Sequence, residues 1–142
     1  MNGVEEVADG PRVLAYIIRS GAGPDRTTFV THSEAAFQAG FVVYPAEGAV
    51  APHIHVPVVR EVVGTSELLV VRSGRCIVDL YDDERRLVAS RELALGDAVL
   101  SLGGGHGFRM LEDTVLLELK QGPYAGVAEK ERFDPPTPEI DA

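Results

Sequence analysis

Short runs rich in Val, Ile, Leu, Phe and Tyr recur along this chain, and each is closed by a cluster of glycine, proline, aspartate or serine. Punctuation at such close intervals leaves no stretch long enough for an extended amphipathic helix, and it suits short strands joined by tight turns. The pattern predicts strands over 12–19, 27–31, 41–44, 50–56, 67–72, 75–81, 86–93, 98–102, 106–111 and 114–120. Between them, Ser73-Gly74, Leu95-Gly96-Asp97 and Gly103-Gly104-Gly105 let the backbone reverse at low steric cost. So many short strands in one chain predict an all-β barrel or sandwich. The one helical signal is a turn over 33–37, with Ser33 as its cap. The proline-rich and acidic segment 134–142 is expected to be an extended tail.

A length of 142 residues suits one domain, 1–142, with its core over about 12–121. Thirteen Lys and Arg against 22 Asp and Glu give a net charge of −9, which repels a phosphate backbone and argues against nucleic-acid binding. No segment is a continuous apolar run of membrane-spanning length, so no membrane association is expected. Residues 1–12 carry Glu5, Glu6 and Asp9 in place of a basic, then apolar, leader, and a cytoplasmic location is the expectation. The one cysteine, Cys76, sits in the apolar run Cys76-Ile77-Val78 and reads as a small buried hydrophobe. Lys120 and Lys130 are the only lysines, which leaves little scope for lysine-nucleophile chemistry.

Histidine carries the clearest chemical signal. His53 and His55 stand two apart in a β-prone stretch, and alternation along a strand places such residues on one face. Their Cα atoms would then be ~7 Å apart, close enough for both imidazoles to lean towards one ion. Imidazole is a common ligand of zinc, iron, nickel and manganese, and a carboxylate often completes the set. Glu67 is a candidate because it opens the apolar run Glu67-Leu68-Leu69-Val70-Val71, where an unmatched carboxylate is costly to desolvate. His106 follows three glycines and begins another run, so a tight turn can aim its ring inward. His32 has no partner in this pattern and reads as a surface residue.

In the order of these residues the chain resembles the cupin superfamily. Gly48, His53, His55, Glu67 and Gly74 are similar to the family's first motif, and Gly96 with His106 is similar to its second. The resemblance spans roughly residues 41–120, and a looser similarity to WbuC-type small cupins covers Leu116 to Tyr124 and Glu129-Lys130. It implies a double-stranded β-helix, the jelly-roll barrel, with one divalent transition metal (Fe, Mn, Zn or Ni) held inside by His53, His55, Glu67 and His106. The chain departs from the pattern in the long stretch 56–66 between His55 and Glu67, which leaves Glu61 as an alternative carboxylate. Leu102 also replaces the usual proline of the second motif.

Three imidazoles and one carboxylate leave a coordination position open, as metal catalysis requires. The expected function is a metalloenzyme, such as an oxygenase, isomerase or lyase, acting on a small organic anion or a sugar derivative. The alternative is a cupin that binds or senses a small molecule without turning it over. Arg60 is a candidate contact for an anionic substrate, against the plainer reading of a solvated pair with Glu61. Tyr81, Arg109 and Glu118 lie on predicted strands and line the cavity if register allows. Exposed strand edges in a small barrel need cover, so a homodimer is expected.

Overall fold

A computed structural model of the chain describes residues 1–135; the expected tail over 134–142 lies outside the described residues from 136 onward. Ten strands run in the order β1 (Val4–Asp9), β2 (Arg12–Ile18), β3 (Thr28–Phe29), β4 (Gly40–Phe41), β5 (Glu67–Ser73), β6 (Cys76–Tyr81), β7 (Leu87–Leu93), β8 (Ala98–Ser101), β9 (Gly105–Met110) and β10 (Val115–Lys120). A 3-10 turn, Val127–Glu129, follows. The chain is thus all-β among the described residues, and every strand pair is antiparallel.

The strands form a five-stranded sheet in the order β1-β2-β8-β5-β10 and a three-stranded sheet in the order β7-β6-β9, with β3 and β4 as a separate pair. Alternation decides which residues the sheets turn towards each other. On β5, Glu67, Leu69 and Val71 are buried while Leu68 and Val70 are half-buried, so the odd-numbered positions face inward. Val7, Ala15, Ile17, Leu69, Val71 and Val99 from the larger sheet meet Cys76, Val78, Leu80 and Leu93 from the smaller one in one core. Cys76 is fully buried there, and burial pushes its thiol up from the ordinary value. The two sheets do not close into a barrel among the described residues: β9 is bonded to β6 alone and β10 to β5 alone.

The strands expected over 27–31 and 41–44 shrink to the two-residue pair β3 and β4, and three other stretches also come out differently. Residues 4–9 form a strand that the apolar pattern does not reveal, because β1 is an edge strand with Val7 as its one buried residue. Its acidic side chains are used instead, Glu5 pairing with Arg91 and Glu6 accepting from Tyr16. Residues 33–37 form a turn, closed by the Ala35 N–H on the His32 carbonyl, and no helix. Residues 50–56 join no ladder; Pro52 lacks the N–H that pairing needs, and the stretch is exposed, with Ile54 91% accessible.

Candidate functional site

Register brings the site together at one end of the core. Glu67 occupies the first inward position of β5, opposite Ser101 of β8 and Lys120 of β10. His106 lies opposite the core residue Leu80 on β9, and Phe108, two residues on, packs against the core. The glycines before His106 allow a close crossing: Gly104 has φ +63°, and a Cβ on it would collide with the Tyr81 carbonyl oxygen. The two strands thus carry Glu67 and His106 from different sheets to one point. Nε2 of His106 lies 3.0 Å from Oε2 of Glu67.

This carboxylate is unusual in its surroundings. The Glu67 side chain is 5% exposed, and its Oε2 is buried yet accepts no hydrogen bond among the described residues, His106 included. A buried acceptor in that state is costly unless another group meets it. On the far side of the imidazole, Nδ1 lies 3.3 Å from Ser101 Oγ, a contact that orients the ring with Nε2 towards Glu67. An imidazole nitrogen and a carboxylate oxygen 3.0 Å apart match two adjacent ligands of a divalent ion with bonds of about 2.1 Å. The donors and the orphaned oxygen match two ligands of a cation site, while among the described residues three possible ligands converge at Asp9, Asp82 and Glu84.

Both residues face a cavity of about 730 Å³, within the range of small-molecule sites. Its wall includes Ser101, Tyr81, Phe108, Lys130 and Phe133. Tyr81 is 6% exposed, and burial, followed by the nearby Asp79 carboxylate, pushes its phenol up, so it faces the cavity as a neutral group. The Phe133 ring stands edge-on to it with centroids 5.2 Å apart. Glu129 also lines the cavity; its Oε1 accepts from Thr65 Oγ1 at 3.2 Å while its buried Oε2 has no partner among the described residues.

The other sequence candidates stand elsewhere. His53 and His55 are exposed, with ring centroids 5.1 Å apart and His53 Nδ1 3.0 Å from the Ala51 carbonyl, and neither lines the cavity. Arg60 and Glu61 are exposed in the same stretch and also lie off the cavity wall. Of the two candidate carboxylates, Glu67 is the one that meets His106. Arg109 is engaged by Asp79 at 2.7 and 2.9 Å, and that hydrogen bonding holds the Asp79 carboxyl below its ordinary value. Asp9, Asp82 and Glu84 also approach one another, but both Asp82 oxygens are taken by the Arg86 backbone and side chain at 2.8 and 2.6 Å.

Sequence reasoning did not assign a role to Lys130 or Ser101. Lys130 Nζ lies 3.5 Å from Glu67 Oε1, and its rarity as one of two lysines was the available signal. Ser101 has no such signal, since only the pairing of β5 with β8 sets it opposite Glu67. No family model, curated protein or solved structure matches this chain.

Proposed function

We propose that this chain is a metal-binding cupin, a metalloenzyme that acts on a small organic anion or sugar derivative within the cavity at Glu67 and His106. The observation that carries the reading is the buried Glu67 Oε2, which accepts no hydrogen bond among the described residues and lies 3.0 Å from His106 Nε2. The remaining ligands would be His53 and His55. Among the described residues β9 has a free edge, and 50–56 join no strand ladder; set along that edge as a further strand, they would turn both imidazoles to the same side. The jelly-roll barrel would gain its missing strand in the same step.

When bound, a divalent metal supplies a Lewis acid to an oxygen-bearing ligand. The chain's own residues do the rest. Ser101 fixes the imidazole, Tyr81 and Phe108 exclude water from one wall, and Glu129 Oε2 offers an acceptor to a hydroxyl of the occupant. A homodimer is part of the proposal, supported by the apolar side chains Val115, Leu117 and Leu119, each 45% exposed or more on the edge strand β10.

Elemental analysis of the purified protein and its variants tests the reading. About one metal per chain is expected, retained in Glu61→Ala and lost in His53→Ala, Glu67→Ala and His106→Ala. Absence of metal after reconstitution with iron, manganese, zinc and nickel sinks it. A loaded protein that turns over none of a panel of organic acids and sugar derivatives points to binding without catalysis.

A further inference from the structure

A buried carboxylate needs a matching charge or a set of hydrogen bonds. At Glu67 the match comes from far along the chain, since Lys130 Nζ lies 3.5 Å from Oε1. The same ammonium is 3.9 Å from Oε1 of Glu118, on β10. These two carboxylates differ sharply in environment: the Glu67 side chain is 5% exposed and that of Glu118 is 41% exposed. Lys130 itself is 56% exposed, so its head reaches in from solvent on a flexible stem and can withdraw without disturbing the core.

Lys130 sits in a segment fastened on both sides of the cavity. Before it, Gln121 Oε1 accepts from the Ser66 N–H at 2.8 Å, and Glu129 holds Thr65. After it, Glu131 pairs with Arg85, whose guanidinium lies 5.5 Å from the centre of the Phe133 ring. Phe133 in turn stands against Tyr81 on the cavity wall. Residues 121–133 thus form a strap across the cavity, with Lys130 directed at the one carboxylate that meets His106.

We propose that Lys130 is a built-in competitor for the cation at Glu67, and that a divalent ion gains this carboxylate only as the ammonium shifts to Glu118. The inference rests on Glu67 and His106 being metal ligands. An ammonium 3.5 Å from a ligand oxygen neutralises the charge that attracts a metal and repels the ion that approaches. Glu118 gives the displaced ammonium a second partner already within reach. The strap then sets metal affinity as well as access to the cavity.

Calorimetric titration with Co²⁺ alone, checked by its visible absorption, tests this on the whole chain. Lys130→Met is expected to tighten cobalt binding about tenfold, the effect of removing one near, partly screened charge. Lys130→Arg keeps the charge and is expected to bind like wild type. Glu118→Gln strands the ammonium on Glu67 and is expected to weaken binding about threefold, and that weakening should vanish when Lys130→Met is also present. Equal affinity for wild type and Lys130→Met, in protein that binds cobalt one to one, overturns the competitor role and leaves the Glu67–His106 site intact. Failure of wild type, Lys130→Met and Lys130→Gln alike to bind cobalt removes the metal site and the competition with it.

Discussion

Asp97 ties the core to the end of β2, and its removal should be among the most damaging polar substitutions in this chain. The side chain is 9% exposed and accepts three hydrogen bonds, from the Ser20 N–H at 2.7 Å, the Ala94 N–H at 3.2 Å and Arg19 Nη1 at 3.0 Å. The two backbone donors should contribute about 1 to 1.5 kcal/mol each, because Asp97→Ala leaves both without their acceptor. Arg19 is 39% exposed and adds about 0.5 kcal/mol after screening by solvent. The expected loss is then about 3 kcal/mol, a large share of the roughly 5 to 15 kcal/mol that holds a domain folded. Asp97→Asn keeps one carbonyl acceptor and should cost about half as much. Burial raises the Asp97 carboxyl, but the Ser20 and Ala94 backbone donors and Arg19 outweigh it and hold the group below its ordinary value of 3.8. Its ionised form therefore stabilises the fold above that value, and the stabilisation fades as pH falls through the lower, folded-state value. Urea unfolding followed by circular dichroism at pH 7 and pH 3 gives both quantities. A loss under about 1 kcal/mol for Asp97→Ala at pH 7, or equal losses for the Ala and Asn variants, would refute the assignment of these bonds.

Further outcomes follow from other contacts. Gly104→Ala combines a left-handed backbone with a collision at the Tyr81 carbonyl, and it should cost about 2 to 4 kcal/mol in thermal melts; Gly107→Ala, where nothing stands within 4 Å, should cost about 1 kcal/mol or less. Arg109→Met removes both hydrogen bonds to Asp79, and because Arg109 is 60% exposed solvent screens the pair and the loss of stability at pH 7 should be small but measurable. The Asp79 carboxyl is held below its ordinary 3.8 chiefly by Arg109, so the Arg109→Met deficit should shrink in unfolding curves below that pH; a deficit equal at pH 7 and pH 3 would assign the effect to packing. Light scattering should return about twice the 15.2 kDa of one chain, and a mass of one chain at micromolar concentration would end the dimer proposal.

The sequence by itself determined what is local. Runs of β-branched and aromatic residues between turn residues mark β2 and β5 to β10 within a residue or two, because strand propensity and turn chemistry are short-range properties. Glu67 was legible for a similar reason, as a charge at the head of an apolar strand requires a partner. Spacing also marked His106, since the glycines before it permit the close crossing with Tyr81. Residues 50–56 show the limit of local pattern. Their composition is that of a strand, but a strand exists only where another chain segment supplies hydrogen bonds, and Pro52 removes one of its donors.

Only the tertiary structure decided which groups meet. Register sets Ser101 opposite Glu67, and a one-residue slip would turn every inward side chain of β5 outward. The return of residues 121–133 across the cavity brings Lys130 to 3.5 Å from a carboxylate that stands far from it in sequence. Such long-range meetings depend on how two sheets pack around one core, and no window of sequence contains that geometry.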